Sequence, residues 1–337
     1  MSEVPDSRPR ESRRYFLGGA AALAGVWPVT AVAQHITADT PPPPAVDQDS
    51  ASIAARNDAA SHLTIDVHIN GQGPFRFVVD TGAERSVISD IVAANLKLPV
   101  GESVTIQGIA KTMVVGSLHA DTVSFGPFVR NGVLLPVLPR STLAADGYLG
   151  LDVIDGTRVT FDFKNHALRI EQPKPLLRPG DPSLETRIRA KGKAGRLQIV
   201  DCMVDSVPAA AFVDTGAELS VGNAVLFDAL RARRRRDTTI GTATLTGVTG
   251  GEIQAAVVPV TRIKLEDLSF TDGTLAIADV PDFDNWNLKY RPALLIGMDY
   301  LRQFASVSVD YRAKEIYFEL SLAPPNPRPG VEITSVG

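Results

Sequence analysis

The same acidic turn occurs twice in this 337-residue chain. Residues 77–86 read FVVDTGAERS and residues 211–220 read AFVDTGAELS, and the two stretches are identical at seven of ten aligned positions. In each copy an apolar run leads into Asp-Thr-Gly, which predicts a strand that ends in a tight turn. Glycine in that turn lets backbone N–H groups approach the acid closely. The repeat therefore predicts two carboxylates in matched surroundings.

Other motifs repeat in the same order along the two halves. GYLGLD at 147–152 parallels LLIGMD at 294–299, and TIQGI at 105–109 parallels TLTGV at 244–248. The spacing between equivalent residues grows from 134 (Asp80 to Asp214) to 148 (Asp162 to Asp310). Ordered matches with slowly growing spacing indicate an internal duplication with loop insertions. Asp152, Asp162, Asp299 and Asp310 repeat with this scaffold, so we expect them to be structural.

Short alternating runs of β-branched and apolar residues predict mostly β structure. Only two segments read as helices, Ser89–Leu96 and Asn223–Arg233, and each follows one of the acidic turns. We therefore expect an all-β chain of two pseudo-symmetric lobes with few short helices. The predicted strands are Leu63–Ile69, Phe75–Val79, Val104–Ile106, Val159–Phe163, Leu197–Met203, Ala210–Val213, Ala255–Ile263, Ser306–Val309 and Glu315–Phe318.

Proline-rich stretches separate the two halves from each other and from both ends. We predict two lobes that flank a short linker, preceded by an N-terminal extension and followed by a flexible tail. A short pro-segment is the alternative for the region before the first lobe. The predicted bounds are 1–33 signal peptide, 34–60 linker, 61–172 first lobe, 173–183 linker, 184–322 second lobe and 323–337 tail.

The N-terminus resembles a twin-arginine export signal. Arg13 and Arg14 precede a weakly hydrophobic run, 18–33, that ends in Ala-Val-Ala. An uncleaved membrane anchor is the alternative, but Pro28 and four Gly or Thr positions make the run a poor one. We therefore expect cleavage before Gln34 and a bacterial protein that is periplasmic or exported, with membrane contact only during export.

Composition argues against several functional classes. The net charge of −4 gives no reason to expect a nucleic-acid partner, and the arginine run at 231–236 reads as a solvated loop. The single cysteine, Cys202, allows no intramolecular disulfide and reads as a buried thiol. The five histidines show no metal-ligand spacing, and no serine-nucleophile elbow or phosphate-binding loop occurs. We therefore expect neither metal nor cofactor.

Two carboxyls can hydrolyse a peptide bond without further groups. If the repeated turns meet across a pseudo-twofold axis, Asp80 and Asp214 come into contact. Such a pair cannot ionise twice cheaply, so it shares one proton. The ionised partner can deprotonate a water, and the protonated partner can donate to the carbonyl oxygen that the water attacks.

These motifs resemble the retropepsin-like aspartic peptidases. The resemblance rests on Asp-Thr-Gly-Ala after an apolar pair and on a later apolar-apolar-Gly (148–150 and 295–297), and it covers about residues 61–320 in two copies. It implies two β-barrel lobes with a central cleft and an endopeptidase that acts on extended segments of protein or peptide substrates. It also implies the proton-sharing dyad for which that family is the standard example. A catalytically inactive peptide-binding protein of the same fold is the alternative. The inter-lobe linker predicts a monomer, against a dimer whose lobes pair between chains.

The resemblance also assigns roles to individual residues. It makes Asp80 and Asp214 catalytic, with Thr81 and Thr215 locking the turns together and Gly82 and Gly216 shaping them. Two glycine-tipped hairpins, one in each half, are the candidate flaps, although neither carries a flap tyrosine and ordinary hairpin turns are the alternative. The residues it predicts to bind substrate are Ala83, Glu84, Ala217, Glu218, Gly108, Ile109, Gly247 and Val248.

Overall fold

The computed structural model describes residues 50–54, 56–57, 63–172, 185–192, 197–234 and 239–320. The predicted signal peptide, inter-lobe linker and tail all lie outside these ranges. Two strands, β1 (Ser50–Ala54) and β2 (Arg56–Asn57), lie within the predicted 34–60 linker. Both are paired: β1 lies antiparallel to residues 167–171, and β2 lies antiparallel to residues 63–64.

The described chain is mostly β structure, as predicted, with short helices between strands. In the first half the strands are β3 (Leu63–Ile69), β4 (Gln72–Val79), β5 (Val87–Ser89), β6 (Val104–Gln107), β7 (Thr112–Val115), β8 (Ser117–Phe125), β9 (Phe128–Leu138), β10 (Gly147–Leu149), β11 (Arg158–Asp162) and β12 (Ala167–Glu171). The helices there are α1 (Asp90–Leu96), α2 (Arg140–Leu143) and α3 (Leu151–Ile154).

The second half repeats this order with more interruptions. Its strands are β13 (Glu185–Lys191), β14 (Gln198–Ile199), β15 (Cys202–Val204), β16 (Val207–Pro208), β17 (Ala210–Val213), β18 (Val221–Gly222), β19 (Gly241–Thr246), β20 (Glu252–Leu265), β21 (Leu268–Ile277), β22 (Ala293–Ile296), β23 (Phe304–Asp310) and β24 (Glu315–Leu320). Its helices are α4 (Ala224–Arg234), α5 (Pro281–Asn285) and α6 (Met298–Leu301).

A closed six-stranded barrel forms the N-terminal lobe. Its strands follow the order β3-β4-β10-β5-β9-β8, and β3 pairs back to β8 through His68 opposite Ser124. Closure leaves these six strands without a free edge. The interior is filled by alternate residues such as Ile65, Val67 and Ile69, which have no exposed surface. The barrel holds β4, which carries the first Asp-Thr-Gly turn, in a rigid frame.

The C-terminal lobe has the same strand path, with breaks. β17, β22, β18, β21, β20 and β15 are joined in that order, and β15 pairs with β16, which leads through Ala209 into β17. The predicted single strand Leu197–Met203 is wrong, because it divides at residues 200–201 into β14 and β15. The division has a physical cause: β14 pairs with β13 and β17, whereas β15 pairs with β16 and β20. Burial raises the pKa of the Cys202 thiol to about 12, in agreement with the predicted buried thiol.

A sheet shared by the two lobes lies in the order β1-β12-β11-β23-β24-β13. At its centre β11 and β23 are antiparallel, and Thr160 lies opposite Ser308 with 2.8 Å between the hydroxyl oxygens. These two residues occupy equivalent positions of the repeat, so the pseudo-twofold axis passes between them. Nearby, Arg158 donates two hydrogen bonds to the buried carboxylate of Asp310, at 2.6 and 2.9 Å.

Both predicted helices are confirmed. The hydroxyl of Ser89 accepts from Val92 N–H at 3.3 Å and caps α1, and α4 follows the second turn as expected. The solvated-loop reading of the arginine run is wrong where the structure describes it. Residues 231–234 form the last turn of α4, and Arg234 bonds Asp205 and the carbonyl of Pro259. No helix in the described ranges is long and apolar enough to cross a membrane.

Candidate active site

Each Asp-Thr-Gly turn starts where a central strand of its lobe ends. β4 runs parallel to β10, with Val79 beside Leu149, and Asp80 N–H donates to the Leu149 carbonyl at 3.0 Å. The second lobe repeats this with β17 and β22, where Asp214 N–H donates to the Ile296 carbonyl at 3.0 Å. The two aspartates thus have the same backbone environment, one in each lobe.

Backbone donors of the turns hold the two carboxylates. Asp80 Oδ1 accepts from Gly82 N–H at 2.8 Å and from Ala83 N–H at 3.0 Å. Asp214 Oδ1 accepts from Gly216 N–H at 3.0 Å. These N–H groups are neutral donors that stabilise a negative charge and fix the orientation of each acid.

Four hydrogen bonds made by the two threonine hydroxyls join the turns across the axis. The Thr215 hydroxyl accepts from Thr81 N–H at 3.1 Å and donates to the Val79 carbonyl at 2.9 Å. The Thr81 hydroxyl accepts from Thr215 N–H at 3.1 Å and donates to the Val213 carbonyl at 3.0 Å. Both threonines are buried, so the four bonds are shielded from competing water. They fix one turn directly against the other.

The glycines of the turns bring the two carboxyls to one place. A Cβ on Gly82 would lie 2.7 Å from Asp214 Oδ1, and a Cβ on Gly216 would lie 2.5 Å from Asp80 Cγ. Gly82 also donates its N–H to Asp80, so both carboxyls border the same residue. Glycine is required here because any side chain would occupy the space of the opposite acid.

A second pair of contacts supports the turns from beneath. The Ser86 hydroxyl donates to Asp152 Oδ1 at 2.7 Å and accepts from Gly150 N–H at 3.0 Å. In the other lobe Ser220 makes the same contacts with Asp299 and Gly297, at 2.7 and 2.9 Å. Asp152 and Asp299 are therefore structural, as predicted. The serine role was missed, although serine ends both ten-residue repeats.

The two predicted flap hairpins meet at their tips. β6 pairs with β7 around residues 108–111, and β19 pairs with β20 around residues 247–251. The Thr249 hydroxyl donates to the Lys111 carbonyl at 2.8 Å, and a Cβ on Gly247 would lie 3.1 Å from Ile109 N. Gly108 and Gly247 both lie at this contact, where either lobe leaves no room for a side chain.

Each flap tip packs on the lobe that it does not belong to. Ile109 contacts a buried cluster of the C-terminal lobe that includes Phe212 and Leu295. Val248 contacts a buried cluster of the N-terminal lobe that includes Val78 and Tyr148. Val78 and Phe212 each stand two residues before an aspartate, so both tips lie over the region beside the two acids.

Comparison with known protein families identifies the chain. A family model described as aspartyl protease matches residues 65–153 and 200–300, which together are more than half of the sequence. The chain belongs to the retropepsin-like aspartyl protease family. No curated protein matches it. Each matched segment of this aspartyl protease contains one Asp-Thr-Gly turn, one glycine-tipped hairpin and one apolar-apolar-Gly motif, so one chain carries the family unit twice.

The remaining predicted binding residues have contacts of their own in the structure. The carbonyls of Ala83 and Ala217 accept from Leu151 N–H and Met298 N–H, at 2.9 and 2.8 Å. Glu218 forms a two-bond ion pair with Arg302, at 3.0 and 3.1 Å. Glu84 is exposed. The alanine carbonyls thus serve the scaffold of this aspartyl protease, and Arg302 holds the Glu218 carboxylate.

A further acid acts on Asp214. Burial raises the pKa of Asp214 well above its ordinary value of 3.8, and the neighbouring charges of Asp80 and Asp282 raise it further. Asp282 lies in the first turn of α5. The corresponding short helix of the other lobe, α2, has no acid in its first turn. Sequence reasoning missed Asp282 because it lies outside the repeated motifs.

Proposed function

We propose that this protein is an aspartic endopeptidase in which Asp80 and Asp214 activate one water between them. The observation that carries the proposal is that both carboxyls border Gly82 while the threonine bonds fix one turn against the other. Family membership supports aspartic protease activity in general. The assignment to this pair rests on the turns themselves, since a Cβ on Gly82 or Gly216 would meet the carboxyl of the opposite turn.

The asymmetry of the pair suggests which acid carries the shared proton. Asp282 is the additional negative charge that acts on Asp214 and favours its protonated form. In this mechanism Asp80 is ionised and takes a proton from the water, whose oxygen bonds to the peptide carbonyl carbon. Asp214 gives its proton to the carbonyl oxygen. The tetrahedral diol then collapses: one of its hydroxyls returns a proton to Asp214, the C–N bond breaks, and Asp80 gives its proton to the leaving nitrogen.

The flaps and the apolar clusters suggest the form of the substrate. An extended peptide between flap tips and acids would pair through its backbone, as strands do. The side chains beside the bond to be cut would then meet the clusters on which Ile109 and Val248 pack. We therefore expect preference for apolar residues on both sides of that bond, in segments that are unfolded or extended.

The direct test is digestion of an unfolded protein and of a peptide library. Wild type should cut, whereas Asp80→Asn and Asp214→Asn should lose at least about a thousandfold in kcat/KM, because each removes one partner of the proton transfer. Asp228→Asn, an exposed position on α4, is the matched control and should cut normally. Equal cleavage by all four proteins would contradict the proposal.

The inactive peptide-binding alternative has a separate readout. Trp286 packs against the cluster that receives Ile109, and its ring lies 4.3 Å from that of Phe212. A protein that begins at Gln34 has this tryptophan alone. A peptide that displaces the flap tip should therefore change its fluorescence. A fluorescence change with no cleavage from about pH 3 to about pH 8 would favour a binding protein over an enzyme.

Export and a monomeric state complete the proposal. The paired arginines, the apolar run and the Ala-Val-Ala site support a periplasmic or exported bacterial enzyme. Replacing Arg13 and Arg14 by lysine should retain the chain in the cytoplasm, and unchanged export would contradict a twin-arginine route. A solution mass of two chains, with activity that falls on dilution, would contradict the monomer.

A further inference from the structure

A tyrosine side chain is buried beneath the two acids. β23 runs along the centre of the shared sheet, and Tyr311 follows its last residue on the same face as Val309, since side chains two residues apart share a face. Its backbone N–H donates to the Thr157 carbonyl at 3.1 Å. The residue is 5% exposed, and its hydroxyl has no hydrogen-bond partner among the described residues.

The Tyr311 side chain lines a small cavity that reaches the threonine bonds. The cavity has room for about one water molecule, which is enough to serve a buried hydroxyl. On the side of the acids its walls are Thr81 and Val213, the residues joined by the Thr81 hydroxyl bond. The other walls are Leu197, Phe212, Trp286, Val309 and Ile316. Buried hydroxyls are rarely left without a hydrogen-bond partner, so we expect the Tyr311 hydroxyl to have one in this cavity.

Packing alone does not require the hydroxyl. The residue at the equivalent position of the first half is Phe163, which stacks on Phe161 at 6.4 Å between ring centroids. An aromatic ring without a hydroxyl therefore fits at this position of the repeat. The C-terminal half adds a polar group that faces the site from below.

We propose that Tyr311 is a positioning residue for the pair of acids, and that its hydroxyl binds one water in this cavity and, through it, stabilises the ionised pair. The effect on the acids rests on the proposed function, whereas the water site does not depend on it. The water accepts from the tyrosine and donates toward the turn backbone around Thr81 and Val213. No proton leaves the tyrosine.

The charges around Tyr311 fix the direction of this effect. Burial raises the pKa of its hydroxyl well above the ordinary value of 10.0, and Asp80, Asp155 and Asp214 raise it further. Asp282, on α5, acts on Asp214 as well. The tyrosine therefore stays neutral wherever the enzyme works. Through the bound water, the O–H dipoles point toward the turns that carry the carboxylates. Such neutral donors stabilise the charged form of the pair, so loss of the tyrosine hydroxyl should make the pair ionise at higher pH.

The first test is the pH profile of Tyr311→Phe in the full chain. Both limbs of kcat/KM should move to higher pH by about half a unit, the shift expected when one modest hydrogen bond is lost, while KM at the optimum stays unchanged. Tyr317→Phe is the matched control, because that hydroxyl donates to Glu315 on the shared sheet and its loss should not move the profile. An unmoved profile in Tyr311→Phe would overturn the positioning role.

The second test does not need cleavage. A crystal structure of the full chain should show an ordered water about 2.8 Å from Tyr311 Oη. Thermal unfolding should show that Tyr311→Phe is no more stable than wild type, since the lost oxygen had a partner. A dry cavity together with a higher melting temperature in Tyr311→Phe would overturn the water site. Absence of cleavage by wild type with the water present would instead refute the proposed function alone.

Discussion

Replacing Thr215 by valine should remove the hydrogen bonds that its hydroxyl makes to the opposite turn, while the size and shape of the side chain stay nearly the same. The hydroxyl that is lost accepts from Thr81 N–H and donates to the Val79 carbonyl, at 3.1 and 2.9 Å. Both partners are backbone groups at a buried junction. An unsatisfied buried group costs about 1–3 kcal/mol, so the two together predict a loss of about 2–6 kcal/mol in the free energy of unfolding. That is a large part of the roughly 5–15 kcal/mol of a typical domain.

The assay combines urea unfolding with cleavage kinetics. Thr215→Val should unfold at lower urea and lose about a hundredfold or more in kcat, because small displacements of a reacting group have effects of that size. Thr215→Ser keeps the hydroxyl, so it should retain most of the stability in urea and most of kcat. Ser117→Ala removes a buried hydroxyl bonded to the Glu102 carbonyl elsewhere in the first lobe, so it should lower stability alone. A Thr215→Val protein that matches wild type in both would refute the reasoning.

Three further outcomes are expected. Gly216→Ala should abolish cleavage, because its Cβ would occupy the space of the opposite carboxyl, whereas Gly116→Ala meets nothing within 4 Å and should behave as wild type in the same assay. Because the folded-state pKa of Asp214 is raised, folding is penalised as pH rises above its ordinary 3.8. Asp214→Asn should therefore equal wild type in melting temperature at about pH 3 and exceed it at about pH 7. If the advantage of the variant in melting temperature did not grow between these two pH values, the raised pKa would be contradicted. Arg158→Met leaves the buried Asp310 carboxylate unpaired and should cost about 3–5 kcal/mol in urea unfolding, and a loss below about 1 kcal/mol would contradict this.

The sequence predicted the features that are both local and repeated. A strand that enters Asp-Thr-Gly is encoded within ten residues, and its second copy indicates that the two turns belong to one arrangement. The same holds for the helix that begins at Ser89, because its cap and its apolar face are adjacent in the chain. The β3 strand, Leu63–Ile69, has the bounds that its alternation predicted.

Pairing between distant strands could not be predicted in this way. Apolar alternation shows that a strand has a buried face, but it does not name the neighbour. The pairing of β11 with β23 and the paired strand β1 depend on contacts across more than a hundred residues. The break within Leu197–Met203 has the same origin, since the two pieces have different neighbours. Arg234 was misread because its partner Asp205 lies in the turn between β15 and β16, which is distant from the arginine run in the chain.

The groups that sequence reasoning missed in the site are those without a counterpart in the other half. Asp282 faces Asp214 from α5, and Tyr311 replaces the phenylalanine of the first copy. Because neither polar group has an equivalent in the first half, the repeat in the sequence does not indicate it.

These unmatched residues bear on why the two units are fused. Peptide hydrolysis by a pair of acids needs one ionised and one protonated partner at the same time. In a symmetric dimer the two acids are equivalent until substrate binds, so the proton has no preferred side. A fused chain can place Asp282 beside one acid and a hydroxyl beneath the pair without duplicating either. If Asp282→Asn left the acid limb of the pH profile unchanged, the proton would have no preferred side here either, and Asp80 and Asp214 would be interchangeable in the reaction.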